Sequence, residues 1–190
     1  MNDQDIQDIL LRSQNGDSIA FGTLVSRYQS YAFGLALRLL HDEHDAEDVV
    51  QDAFIRVWNH IGEFKPENRF TTWLYAIVSN LCMDRLRRGT RWRKLLARES
   101  EGLDPEGVPD VERPEEIHAN RELVRIIKQL VLHLSPKQRL VFVLRDLEDC
   151  SVQETSAISG MSEGAVKSNL CHARRHIREM LAMTYDLKEL

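Results

Sequence analysis

An all-α fold of two small helical domains joined by an acidic flexible linker is predicted by three observations. Apolar residues recur at three- and four-residue steps through long stretches, and nowhere does the alternation of a strand persist. Residues 95–120 break that pattern: Gly102, Pro105, Gly107, Pro109 and Pro114 lie among eight carboxylates and only two arginines, which reads as an irregular linker. A second run of amphipathic segments then follows and ends in a helix, a short turn and a further helix. The expected organisation is a first domain over residues 1–94, a linker over 95–120 and a second domain over 121–190.

Taken in order, residues 18–40 carry the stripe Phe21, Leu24, Val25, Tyr28, Ala32, Leu35 and Leu39, a helix with one buried face. Residues 45–61 repeat it with Ala46, Val49, Val50, Ala53, Phe54, Val57, Trp58 and Ile61, while Asp45, Glu47, Asp48, Gln51 and Asp52 gather on the other side. The helix dipole favours carboxylates in the first turn, but Gln51 and Asp52 lie beyond it, so the acidic face also suits docking of a basic partner. Gly62 and Pro66 interrupt the pattern, and a helix restarts at Thr71 or Thr72 and runs towards Arg88. In the second domain Leu123, Ile126, Ile127, Leu130, Val131 and Leu134 form one helix. Ser135-Pro136 starts the next, with Leu140, Val141, Leu144 and Leu147 on its apolar face. Ser151 and Glu154 have capping-box spacing, Ala157 and Ile158 face inward, Gly160 suits a positive-φ turn, and Ser162 caps the last helix.

Composition narrows the function. With 190 residues the chain has room for one large domain or two small ones. At 43% hydrophobic and 29% charged it is too apolar for wholesale disorder. Charge interrupts every run short of the roughly 18 apolar residues a membrane span requires. No membrane insertion is expected, and MNDQDIQDIL lacks the basic flank and apolar run of a secretory signal, so a cytoplasmic location is expected. Cys82, Cys150 and Cys171 are odd in number and unpaired by any CxxC, against both a disulfide framework and a zinc knuckle. The cluster His41, His44, Asp45 and Asp48 lacks HExxH spacing and a second ligand group, so no metal is predicted. GxSxG, Walker-type and GxGxxG motifs are absent, and neither an enzyme activity nor a cofactor is expected.

The net charge of −5 conceals a strong ordering. Residues 65–94 hold eight bases against Glu67 and Asp84, a net of +6, and residues 95–120 reverse this to −6. In the basic stretch Phe64, Phe70, Trp73 and Tyr75 alternate with Lys65, Asn68, Arg69 and Asn80, ahead of Arg85, Arg87, Arg88, Arg91 and Arg93. Cations meet phosphates and aromatic faces stack on unpaired bases, so this composition suits a binder of single or melting strands; aromatics at helical spacing are equally a core. The last helix opens with Ser162, Glu163, Lys167, Ser168 and Asn169 and continues through His172, Arg174, Arg175 and Arg178. In a helix-turn-helix such a helix lies in the major groove, its early residues at base edges and its cations at phosphates.

Together these segments resemble the extracytoplasmic-function (ECF) sigma factors, a class of the sigma-70 family of bacterial RNA polymerase initiation factors. DAEDVVQDAFIRVWNHIGEF resembles the region 2 helix that docks on the polymerase, NRFTTWLYAIVSNLCMDRLRR the minus-10 recognition and melting segment, and LSPKQRLVFVLRDLEDCSVQETSAISGMSEGAVKSNLCHARR the minus-35-reading region 4. The chain departs from the family at Cys150, where Gly is usual, and at Ala165, Asn169 and His172, where Thr, Arg and Arg are favoured. The resemblance implies core RNA polymerase (β′ and β subunits), promoter DNA and a cognate anti-sigma factor as partners. It implies that Asp45, Asp48, Gln51, Asp52, Phe54 and Trp58 join the polymerase. Phe64, Lys65, Asn68, Arg69, Phe70, Trp73 and Asn80 would capture an unstacked minus-10 base, with Arg85, Arg88 and Arg91 on phosphates. Ser162, Glu163, Lys167, Ser168, Asn169, His172, Arg174 and Arg175 would meet the minus-35 element. A free-standing helix-turn-helix repressor would leave the region after Gly62 and the acidic face idle.

Overall fold

The computed structural model describes residues 3–65, 67–99 and 129–186, and of 3, 4, 90–99 and 184–186 the backbone alone. All elements among these residues are helical. Helix α1 (Asp3–Gln14), which the periodicity did not announce, buries Leu10 and Ser13 and half-buries Ile6 and Ile9. Gly16, at φ 86°, turns the chain into α2 (Ser18–Leu40). There Asp17 accepts from the backbone N–H groups of Ile19 and Ala20 and, at 2.7 and 3.0 Å, from the Arg12 guanidinium. Those backbone bonds and then Arg12 hold the Asp17 carboxyl below the usual range.

Helix α2 buries Leu24, Tyr28, Ala32, Leu35 and Leu39 and stops at His41, which takes the left-handed conformation at φ 57°. Asp42 caps α3 (Glu43–His60) by accepting from the Asp45 N–H at 2.8 Å. A 3₁₀ turn (Ile61–Glu63) leads through an irregular loop to α4 (Phe70–Glu99), so the composition-based boundary at residue 94 falls inside a helix.

In the second lobe, residues 129–131 end a helix; the rest of that predicted helix and residues 100–128 of the linker lie outside the described residues. Ser135 and Gln138 form a capping box at α5 (Pro136–Phe142). The α-helix predicted onwards to Leu147 gives way to a wider π turn over Val143–Leu147, and this rotates Leu147 out to 39% exposure while Val143 and Leu144 are buried. Asp149, not Cys150, carries the left-handed φ of 54°, so the cysteine needs no glycine-like backbone. Ser151 and Glu154 make the anticipated capping box of α6 (Val152–Ser159). Within α6 the inward residues are Thr155 and Ile158, while Ala157 faces solvent. Gly160, at φ 68°, opens the turn into α7 (Glu163–Asp186).

The lobes meet where α6 lies on α4, the π turn touches α2 and α5 touches α4. Arg139, 9% exposed, donates to the Leu39 carbonyl at 2.8 Å and to the Leu132 carbonyl at 2.6 Å. Leu39 lies in the last turn of α2, so the cation meets the negative end of that helix and one of its orphan carbonyls. Glu148 accepts from Tyr75 Oη at 2.9 Å and pairs with Arg38. Burial, then Glu148, pushes the Tyr75 phenol well above its usual value. Arg139→Met leaves two buried carbonyls without their charged donor and is expected to cost about 2 kcal/mol, read as a lower urea midpoint.

Candidate functional site

On α3 the sequence grouped six residues as one docking face; the structure divides them. At about 100° per residue, Asp45, Asp48 and Asp52 share one sector and Gln51 and Trp58 the adjoining one. Arg85 of α4 closes on the first sector, 2.6 Å from Asp45 Oδ1 and 2.9 Å from Asp48 Oδ2. Burial works against its charge, yet the bonds to Asp48 and Asp45 prevail and raise the Arg85 guanidinium above its usual value. Two residues expected at the polymerase and one expected at DNA thus clamp α3 to α4. The adjoining sector opens a groove of about 530 Å³ lined by Phe21, Val25, Phe54, Ile55 and Trp58. Trp58 meets Phe21 in a tilted ring contact at 4.8 Å, and Ile19 and Ile55 stand 78% and 59% exposed. Phe21 has the spacing of a core residue, and Ile19 and Ile55 fall outside the apolar stripes of α2 and α3, so periodicity marks none of the three as a surface for a partner.

The loop before α4 has a different construction. Phe64 and Phe70 are buried, in ring contact at 5.9 Å, with Tyr28 4.9 Å from Phe70 and half-buried Trp73 5.1 Å from Phe64. Their faces are largely spent on one another. Lys65, Asn68 and Arg69 remain exposed above them, and a cavity of about 360 Å³ opens between this loop and α1. Its floor includes Tyr28, Phe64 and Phe70, and its rim Glu67, Asn68 and Arg69. Arg69 is 77% exposed while 2.8 Å from Glu154 of α6. Asn80 and Arg88 are exposed further along α4; the side chain of Arg91 lies outside the described residues.

On α7 the side away from buried Val166, Leu170, Ala173 and Ile177 presents Lys167, Ser168, Cys171, His172 and Arg175. Ser162 accepts from the Ala165 N–H at 3.3 Å as the cap, and Glu163 is exposed in the first turn. Arg175 reaches His172 at 3.1 Å and Glu179 at 3.9 Å. Two expected readers are committed elsewhere: Asn169 is half-buried and donates to the Ala165 carbonyl at 2.8 Å, and Arg174 grips Asp146 through two bonds of 2.9 and 2.5 Å. The bond to Asp146 raises the Arg174 guanidinium and ties α7 to the π turn. Exposed Cys171 joins the outer face.

Among the described residues no three His, Cys, Asp or Glu side chains converge on a metal position, and no helix is long and apolar enough to cross a membrane. Burial pushes the Cys82 thiol up to about 12 and the half-buried Cys150 thiol up to about 11.

A helical lobe followed by a second lobe that ends in helix, turn and helix defines a two-lobed, all-helical protein with a helix-turn-helix. Residues 24–93 match the family described as Sigma-70 region 2 and residues 125–177 that described as Sigma-70, region 4. Over 172 residues, 88% of this chain and 92% of the relative, it is 35% identical to the ECF RNA polymerase sigma factor SigW of Bacillus subtilis (strain 168). It is 32% identical to the ECF RNA polymerase sigma-E factor of Escherichia coli (strain K12), over 93% of this chain and 95% of that one. Among solved structures, CnrH in complex with the cytosolic domain of CnrY aligns with a TM-score of 0.65 and 27% identity, over 94% of this chain and 98% of that one. The chain belongs to the ECF sigma factors of the sigma-70 family, the subunits with which RNA polymerase starts transcription.

Two outcomes follow from the site's chemistry. In native protein at pH 8 a thiol reagent should modify Cys171 rapidly and Cys82 only after unfolding, as followed by mass spectrometry. The Ser151 backbone and side-chain bonds and then Arg69 lower the Glu154 carboxyl. The stability this cap contributes is therefore present above the ordinary carboxylate range and lost as pH falls through and below it; Glu154→Gln should flatten that acid limb in thermal melts.

Proposed function

We propose that the chain divides its sigma-factor work among three surfaces. The Phe21–Trp58 groove, with Gln51 and Asp52 beside it, joins the polymerase. The loop and cavity around Asn68 and Arg69 take an unstacked base of the minus-10 element. The outer face of α7 enters the major groove at minus 35. One observation carries this reading: a cavity of about 360 Å³ with an aromatic floor and an Asn–Arg rim stands open beside a helix whose exposed cations include Arg88. A flipped base needs such an apolar, polar-rimmed enclosure, and the few kcal/mol spent on unstacking are offset by burial and hydrogen bonds rather than by nucleotide hydrolysis. The chain thus acts as a binding subunit, not as an enzyme, and works in the cytoplasm with the polymerase.

The first domain, extended to the end of α4, and the second, residues 121–190, serve minus 10 and minus 35 respectively, and the acidic linker between them passes through the polymerase channels. Asp45 and Asp48 support the docking helix through Arg85, and Arg174 supports the reading helix through Asp146. Control by an anti-sigma factor is supported by the likeness to CnrH, whose structure holds part of CnrY.

Run-off transcription with bacterial core polymerase on a promoter library tests the whole reading: initiation should depend on the chain and on both elements. Tight operator binding by the chain alone, with no transcription when core is added, would count against it. Trp58→Ala should weaken core association about tenfold without unfolding either lobe, as a single buried aromatic anchor does. Arg175→Ala should weaken minus-35 binding and reduce its salt slope by about 1, whereas Arg174→Ala should lower the melting temperature of the second lobe.

A further inference from the structure

The proposed base cavity has a wall that no promoter-reading segment supplies. Residues Gln7, Leu10, Leu11 and Gln14 of α1 follow i, i+3, i+4, i+7 spacing, and all four line the cavity opposite Asn68 and Arg69. Gln14 is half-buried and spends its side-chain amide on the loop itself. Its Nε2 donates to the Ile61 carbonyl at 3.0 Å and to the Phe64 carbonyl at 2.8 Å. The Ile61 carbonyl also accepts from the Phe64 N–H at 3.1 Å, so Gln14 ties together both ends of the 3₁₀ turn from which the loop departs. Arg12 and Asp17 fix the exit of α1 and thereby the place of Gln14. Two turns earlier on the same face, Gln7 is exposed at the cavity rim, an amide not committed to a backbone carbonyl among the described residues.

We propose that α1 is a working wall of the base-capture cavity, in which Gln14 positions the loop and Gln7 presents a donor and an acceptor to the captured base. This rests on the minus-10 reading of the loop. The loop has no regular structure of its own, so its geometry depends on what holds its carbonyls; a donor on a neighbouring helix holds them without occupying the cavity. An amide offers adjacent donor and acceptor atoms, the pair that makes two hydrogen bonds with the N7 and N6–H edge of adenine. Gln14 is a positioning residue, and Gln7 sets base preference.

The test uses holoenzyme formed from the full chain and core polymerase, on promoters carrying each of the four bases at every minus-10 position. Opening is followed by 2-aminopurine fluorescence in the non-template strand. Gln14→Glu keeps the shape but replaces both N–H donors with a charge facing two carbonyls. It should reduce the preference at the captured position about tenfold while minus-35 footprinting and the melting temperature of the second lobe stay unchanged. Gln14→Lys, which restores a donor, should recover most of that preference. Gln7→Leu should flatten discrimination for adenine at the same position with the loop still formed. Full base preference in both Gln14→Glu and Gln7→Leu overturns the proposal. If Asn68→Ala and Arg69→Ala also leave preference intact, the minus-10 reading of the loop is itself wrong and the proposal falls with it.

Discussion

The contact on which the site depends is the aromatic cluster of Tyr28, Phe64, Phe70 and Trp73. The segment between the 3₁₀ turn and α4 is an irregular loop, and a loop left to itself would present Asn68 and Arg69 in many arrangements. Burying Phe64 and Phe70 to 6% and 5% exposure anchors both of its ends, Phe70 on Tyr28 of α2 and Phe64 on Phe70 and Trp73 of α4, at roughly 1.5–3 kcal/mol for each side chain so buried. Edge and tilted ring contacts then restrict how the anchors sit. The polar residues between them gain fixed positions from neighbours that touch no ligand. The same aromatics therefore serve as core and as cavity floor, two roles that spacing alone presents as alternatives.

Much of the fold was legible because its signals are local. The stripes of α2 and α3, the Ser135-Pro136 helix start, the Ser151 capping box and the Gly160 turn each depend on residues within a few positions of one another, and all recur in the structure. Helix α1 was not legible: Ile6, Ile9 and Leu10 make a narrow stripe in a polar segment, and it is stabilised by packing on α2 rather than by its own pattern. The π turn was hidden for a related reason. Leu147 keeps helical spacing with Leu140 and Leu144, and only the backbone widening moves it outward. Long-range pairing set the other limit. Nothing near Asp45 or Asp48 in sequence reveals Arg85, and nothing near Arg174 reveals Asp146, so residues that looked like free ligands for partners proved to be joined to each other.

That pairing changes the meaning of the charge pattern. The +6 stretch is not a uniform phosphate-binding surface, since Arg85 and Arg87 are engaged by carboxylates and Arg69 by Glu154, while Lys65 and Arg88 are exposed without an acidic partner among the described residues. Only the second kind adds directly to the field that a phosphate meets. A net charge of −5 follows the same logic: the acids are placed to neutralise particular cations, which weakens indiscriminate attraction to DNA.

The lobe contact contains two kinds of bond that differ in cost. The Arg69–Glu154 pair, with Arg69 77% exposed, belongs to the class of surface pairs worth about 0–1 kcal/mol, so an incoming phosphate can exchange for Glu154 with little loss. Arg139 on the Leu39 carbonyl and Tyr75 on Glu148 are different, because separating them in place would strand polar groups out of water. If the lobes part on the polymerase, those groups must be rehydrated or repaired by the new partner. Exposed pairs can therefore trade partners one at a time, whereas the buried ones give way only when the whole contact does.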